Sequence, residues 1–200
     1  MFWKKKKNGN VVHIEQEDDF ELKPRDSAAT SQRVLALLAV IGRVHEDPPE
    51  RVTSWVRENS IAKYFSNEES KYFFKTEITF QEKQNFSWRA ESVVSLIWAL
   101  GGLEEFPNLD EQFDIYATEL VVRAINDPEK FLLNARLRPF EEIEEKESDM
   151  HHQHWKIRDA QLFQKTMPDE LDPGIVYERR YALSWLVGYG ECWDDVPTDT

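Results

Sequence analysis

The residues best suited to chemistry lie in the stretch "HHQHWKIRDAQLF", which begins at His151. At helical spacing, His151, His154 and Arg158 fall on one side of a helix. Asp159 lies beside them and follows Trp155 by four residues. A histidine and a carboxylate held together can act as general acid and base on a bound substrate. The stretch therefore indicates either an acid–base site or a polar network inside the protein.

A second unusual stretch, "GIVYERRYALSWLVGY", is apolar on nearly all sides when drawn as a helix, which predicts a buried helix. Its consecutive charged residues Glu178, Arg179 and Arg180 point in three directions, so at least one must face protein. Buried charges need partners, because an unpaired one costs several kcal/mol. We expect Asp159 to pair with Arg179 or Arg180, and Glu178 to pair with Arg158.

The last eight residues, "WDDVPTDT", could supply further carboxylates through Asp194, Asp195 and Asp199. We expect Trp193 to anchor this segment against the protein, with the first two aspartates reaching inward. A cleft that joined these elements could host acid–base chemistry, whereas a sealed core would make them a structural ion-pair network. The candidate catalytic residues are His154, Arg158, Asp159, Glu178, Arg179, Asp194 and Asp195.

A metal site is the other chemistry that this region suggests. Glu147, His151 and His154 could reach one side of a helix, and Asp194 or Asp195 could complete a shell of nitrogen and oxygen ligands. The spacing matches no strict zinc motif such as H-E-x-x-H. We predict no metal and no cofactor, and keep Glu147, His151 and His154 as weak candidate ligands.

The elements that must position these residues read as helices. Apolar residues recur at helical spacing from Val34 to Val44, and Ser27, Thr30 and Ser31 are the candidate caps at the start of that helix. Residues 1–26 are polar and aperiodic, and no Gly- or Ser-rich linker divides the rest. We predict an all-α protein, with a polar arm over residues 1–26 and one domain of seven to nine helices over residues 27–200.

Three details of that helical prediction can be checked directly. Ser66 and Glu69 have the spacing of a capping box. A continuous helix face is expected from Phe86 to Gly101, where two glycines should end it. The next helix is expected to start with Asp110 as its N-cap and to bury an apolar set. That set is Phe113, Tyr116, Leu120, Val121 and Ala124.

Composition excludes several classes of function. The chain has 200 residues, a formal net charge of -13 and a single cysteine, Cys192, so an intramolecular disulfide cannot form. The acidic balance disfavours nucleic acid, because phosphates are repelled. The longest apolar run, "VLALLAVIG", is too short to cross a bilayer, and no signal-peptide pattern follows the N-terminal lysines. We predict a cytoplasmic protein that binds neither nucleic acid nor membrane.

Four segments carry a resemblance to a known family: "FSWRAESVVSLIWALG", "HWKIRDAQL", "GIVYERRYALSWLVGY" and "WDDVPTDT". In order and spacing they resemble the bacterial family catalogued as domain of unknown function 4272. Members usually have His and Asn where this chain has Arg180 and Ser184, and Thr at Pro197. The resemblance implies a bacterial, cytoplasmic and mostly helical protein. It implies no reaction and no catalytic residue.

Two classes of function stay open at this point. The first is an acidic helical domain that binds a protein partner, for which a basic protein is the natural complement, in the manner of an immunity or adaptor protein. The alternative is a hydrolase, a transferase or a metal-binding protein. It would use His154, Asp159, Glu178 and Asp194.

Overall fold

The computed structural model describes residues 22–46 and 49–198, and within these ranges the fold is all-α, with no strand. The predicted fold class is confirmed. Most of the predicted arm, residues 1–21, lies outside the described residues. The longer helices are α1 (Ser27–His45), α2 (Glu50–Glu58), α3 (Asn67–Phe73), α4 (Phe80–Ser87), α5 (Arg89–Ala99), α6 (Glu119–Asn126), α7 (Pro128–Asn134), α8 (Phe140–Leu162) and α9 (Pro173–Val187). Short 3-10 helices cover Ile61–Tyr64, Ile115–Ala117 and Trp193–Asp195.

The start of α1 is capped by a residue outside the predicted set. Asp26 has extended backbone angles, and its carboxylate accepts from the Ala29 N–H at 2.7 Å. Thr30 and Ser31 instead lie inside the first turns and are buried. The prediction of a Ser27, Thr30 or Ser31 cap was wrong, because the cap must precede the first helical residue.

Helix α1 forms the centre of the protein, since every residue from Val34 to Ile41 is almost fully buried. It packs against α5, which in turn packs against α9. The second partner of α9 is α8. Helix α9 therefore lies between two helices, and every residue from Glu178 to Val187 is buried. The prediction of a helix that is buried all round is confirmed from Glu178 to Val187, whereas Tyr177 nearer its start is exposed.

The predicted continuous helix from Phe86 is divided in two. Helix α4 ends at Ser87 and α5 begins at Arg89, with Trp88 at φ -63° and ψ -21° between them. The Glu91 N–H donates to the Trp88 carbonyl at 2.9 Å. This bond joins residues three positions apart, as in a 3-10 helix, and not four apart as in an α-helix. The predicted stop after α5 is confirmed. The Gly101 N–H donates to the Trp98 carbonyl, and the Gly102 N–H donates to the Ile97 carbonyl.

The prediction that a helix starts at Asp110 was wrong. Helix α6 begins at Glu119, and the preceding residues form a loop and a 3-10 helix in which Tyr116 is exposed. The Phe113 N–H donates to the buried Glu91 carboxylate at 3.1 Å, so it does not join a helical ladder. A tertiary contact has therefore overridden the local periodicity.

No helix in the described part of the chain combines the length and the apolar character needed to cross a membrane. That finding covers residues 22–46 and 49–198.

Candidate functional site

Among the described residues, the charged side chain with the least exposure is that of Arg179, in the middle of α9. Its side chain is 0% exposed, and its Nη2 lies 2.8 Å from Glu91 Oε2 on α5. Nη1 also donates to the carbonyls of Pro107 and Asn108, each at 2.7 Å. Burial lowers the pKa of Arg179, while the Glu91 carboxylate opposes that shift. The guanidinium thus ties α9 to α5 and to the loop that follows α5.

The predicted partner of Arg179 was wrong, because Asp159 lies elsewhere. Its carboxylate is 2.7 Å from Lys165 Nζ, just beyond the end of α8. Asp159 lies five positions after His154, which puts the two side chains about 140° apart around the helix. His154 faces α9, so Asp159 cannot. It belongs to a surface ion pair and not to the buried network.

The predicted partner of Glu178 was also wrong. Glu178 accepts from Arg89 Nη1 at 3.1 and 3.3 Å and from the Ser92 hydroxyl at 2.6 Å, both on the α5 side. Arg158 is exposed, and its Nη1 donates to Gln161 Oε1 at 3.2 Å. Sequence reasoning missed Glu91, Arg89 and Ser92. Glu91 and Arg89 are charged residues at the start of α5, which is otherwise apolar, and that pattern was the sequence signal that could have identified them.

His154 is buried, and its ring contacts Arg180 of α9. Arg180 Nη1 lies 2.5 Å from His154 Nδ1. Because a guanidinium can only donate, the Arg180 N–H is the donor and Nδ1 is the acceptor. Burial, together with the charges of Arg180 and Arg158, lowers the pKa of His154 to about 4. His154 is therefore a neutral imidazole at pH 7, with its proton on Nε2.

The three weak candidate metal ligands do not come together. Glu147 is buried and accepts from the Ser184 hydroxyl at 2.8 Å. His154 is held by Arg180, and His151 is exposed to solvent. Within residues 22–46 and 49–198, no group of three His, Cys, Asp or Glu side chains is arranged to hold a metal ion.

Another buried ion pair was not predicted. Arg33 of α1 contacts the Glu69 carboxylate of α3, and both side chains are almost fully buried. Glu69 also completes the predicted capping box with Ser66, which is confirmed. Burial raises the pKa of Glu69, and the charge of Arg33 opposes that rise. The sequence signal for this pair was Arg33 itself, a charged residue beside the apolar run of α1.

The chain end packs beside this pair. Trp193 is buried, and Arg33 lies over its ring at 5.0 Å from the centroid. Asp194 does not reach the arginines of α9, since its carboxylate accepts from the Glu68 N–H at the start of α3 at 3.1 Å. Asp195 is exposed. The third predicted aspartate, Asp199, lies outside the described residues.

Three of the seven candidate residues line a common cavity. It is a cleft of about 540 Å³ between the α4–α5 junction, the second half of α8 and the start of α9. Those three are His154, Arg158 and Glu178. The other residues that line this cleft are Asn85, Trp88, Arg89, Ile157, Gln161, Pro173, Gly174 and Tyr177. The structure therefore separates the sealed Arg179–Glu91 pair from an open cleft whose wall includes the Arg89–Glu178 pair.

The described residues thus form an all-helical protein with charged residues buried along α9 and a polar cleft beside that helix. The chain belongs to the family described as domain of unknown function 4272 (DUF4272), whose model matches residues 6–196. The resemblance noted in the sequence motifs is thereby confirmed. Neither a curated protein nor a solved structure matches the chain.

Proposed function

We propose that this chain is a binding domain that takes a basic segment of a partner protein on an acidic surface. That surface combines the exposed side of the first half of α8 with the loop that follows α5. A negative patch of this kind attracts positive partners and speeds their encounter. The carboxylates that define the acidic surface are exposed and belong to Glu104, Glu105, Glu141, Glu144 and Glu145.

Two contacts hold the loop and the helix side by side. The Arg138 guanidinium donates to the Glu104 carbonyl at 3.1 Å, next to the start of α8. Further into that helix, Lys146 Nζ lies 5.3 Å from the centroid of the Phe106 ring. The loop carboxylates therefore lie near the first half of the helix that carries the other three. A single extended basic segment could contact both.

The observation that carries the proposal is a set of exposed carboxylates that form no ion pair with a described residue. Acidic residues in the first turn of α8, such as Glu141, are favoured by the helix dipole, but Glu144 and Glu145 lie beyond that turn. Within residues 22–46 and 49–198, no Lys, Arg or His side chain forms an ion pair with Glu141, Glu144 or Glu145. Glu141 and Glu145 are four residues apart, a like-charge spacing that destabilises a helix by a few tenths of a kcal/mol. A basic partner would relieve that repulsion.

Binding is supported over catalysis by how two of the candidate catalytic groups are occupied. Arg179 is sealed against Glu91, and Asp159 is paired with Lys165. Groups so engaged are poorly placed to exchange protons with a substrate. An immunity-like or an adaptor-like role would use the same acidic surface. Cytoplasmic location stays a prediction.

The test is a matched pair of charge-reversal variants. The first takes one carboxylate from the loop and two from the helix, as Glu105→Lys, Glu144→Lys and Glu145→Lys. The control has the same net charge and reverses exposed carboxylates on other helices and loops, as Glu58→Lys, Glu77→Lys and Glu129→Lys. Partners captured from the source cells at low salt are purified, and their dissociation constants are measured by calorimetry at two salt concentrations.

We expect the wild type and the control to bind a partner with a basic segment. The surface variant should bind at least tenfold more weakly, and added salt should weaken wild-type binding, since exposed charges are screened. Equal affinities for the two triple variants would contradict the proposal. So would the capture of no basic partner at low salt.

A further inference from the structure

The cleft beside α9 has a charge opposite to that of the protein as a whole. Its charged lining consists of two arginines, Arg89 and Arg158, and one carboxylate, Glu178. The chain carries a formal net charge of -13. A ligand in the cleft would respond mainly to these nearby charges, because salt screens the more distant ones.

The carboxylate in the cleft is already occupied. Both of its oxygens accept from Arg89 Nη1, at 3.1 and 3.3 Å, and one also accepts from the Ser92 hydroxyl at 2.6 Å. Glu178 and Arg89 therefore neutralise each other. The charge of Arg158 is left over, since its one described hydrogen bond goes to the neutral amide oxygen of Gln161. A ligand would meet this guanidinium as an uncompensated cation.

His154 adds a neutral donor to the same wall. Its Nδ1 accepts from Arg180, so the imidazole proton is on Nε2. The side chain is 6% exposed and lines the cleft. Among the described residues none accepts from Nε2. This N–H is therefore available to donate to a hydrogen-bond acceptor in the cleft.

Aromatic rings supply the apolar part of the cleft. The Trp88 ring lies close over Gly174, where an added Cβ would come within 2.9 Å of it. Tyr177 is 37% exposed and meets the His154 ring edge to face, with 6.0 Å between the centroids. Concave sites of about 300–1,000 Å³ with apolar walls and few polar groups are typical of small-molecule binding. The cleft falls within that range.

We propose that this cleft binds a small organic anion that joins a phosphate or carboxylate group to a flat ring. Arg158 and the Nε2–H of His154 hold the oxyanion, and Trp88 and Tyr177 contact the ring. A guanidinium suits this task because its fork of donors matches phosphate and carboxylate oxygens. The site is independent of the acidic surface, which lies on the other half of α8.

Phenyl phosphate is the probe, titrated into the full-length chain and followed by two-dimensional amide NMR and calorimetry. The variant Arg158→Gln removes the free cation. Its matched control, Arg123→Gln, removes another exposed helical arginine, on α6 and away from the cleft. A second variant, His154→Asn, keeps an acceptor for Arg180 and removes the Nε2 donor. Inorganic phosphate and phenol are titrated separately, so that the contributions of the anion and the ring are resolved.

We expect saturable binding of phenyl phosphate by the wild type and by Arg123→Gln, with shifts confined to the cleft. Arg158→Gln should weaken binding about tenfold, as for the loss of one charge-assisted hydrogen bond. His154→Asn should weaken it as well, and each separate fragment should bind more weakly than phenyl phosphate. The proposal is overturned if no saturation occurs by about 10 mM, a concentration beyond weak millimolar binding. It is also overturned if Arg158→Gln and Arg123→Gln bind alike.

Discussion

At the scale of single residues, the interior of this protein depends on charges that find partners far along the chain. Arg179 and Glu91 are separated by 88 positions, and Arg33 and Glu69 by 36. Both pairs are almost fully buried. A buried ion pair adds little net stability over an apolar substitute, but the loss of one partner strands the other charge. We therefore expect each pair to disfavour any packing that separates its two helices.

The variant Arg179→Ala tests that dependence. It leaves Glu91 buried without its cation and should lower the free energy of unfolding by about 3–5 kcal/mol. The double variant Glu91→Leu with Arg179→Met should lose less, because no charge is stranded. Urea unfolding at pH 7 measures both. A loss below about 1 kcal/mol for Arg179→Ala would show that the pair does not hold α9 in place.

At the scale of elements, the ends of the helices are fixed by caps and by the segments that cross them. Asp172 caps the start of α9 by accepting from the N–H groups of Gly174 and Ile175. At the other end Gly188 adopts φ +114°, a value that side chains disfavour. The chain segment before α1 passes directly over Gly188, and an added Cβ would lie 2.6 Å from the Lys23 backbone nitrogen.

A pair of glycine substitutions separates backbone strain from this close approach. Gly101→Ala, at φ +73° with nothing within 4 Å of the new Cβ, should cost about 1 kcal/mol of unfolding free energy. Gly188→Ala carries a similar strain and also forces the segment at Lys23 away from α9. We expect it to cost at least about 1–2 kcal/mol more. Equal losses in thermal or urea unfolding would contradict the tight crossing.

At the scale of the whole molecule, the last described residues join helices that are distant in sequence. The Trp193 ring packs against Tyr181 and Trp185 of α9, at centroid distances of 5.1 and 5.4 Å. The Tyr181 hydroxyl donates to the Trp193 carbonyl, and Val196 is buried. This segment therefore closes one side of the core.

Two truncations measure what the segment contributes. Removal of residues 193–200 takes away a buried tryptophan, a change worth about 3–5 kcal/mol, and should lower Tm by about 10 °C in a protein of this size. Removal of residues 197–200 alone keeps Trp193 and Val196, so less than half of that decrease is expected. Thermal melts followed by circular dichroism give both values. A chain that ends at Cys192 and melts like the full-length protein would refute the role assigned to Trp193.

The sequence by itself determined the properties that depend on neighbours along the chain. Helical periodicity predicted the all-α fold and the all-round burial of α9, and the spacing of Ser66 and Glu69 predicted a capping box. It also predicted that the charges of α9 would need partners. These features follow from residues three or four positions apart, whose mutual geometry is fixed by the helix.

Only the tertiary structure decided which partners those charges have. Local spacing carries no information about a carboxylate 88 residues away, so Glu91 could not be assigned to Arg179. Glu91 also accepts from the Phe113 N–H, so a tertiary hydrogen bond is made where the periodic stretch predicted a helical one. The cleft is also a product of packing, because Trp88, Arg158 and Glu178 lie on different elements. Their meeting depends on how whole helices cross, and long-range packing alone sets that geometry.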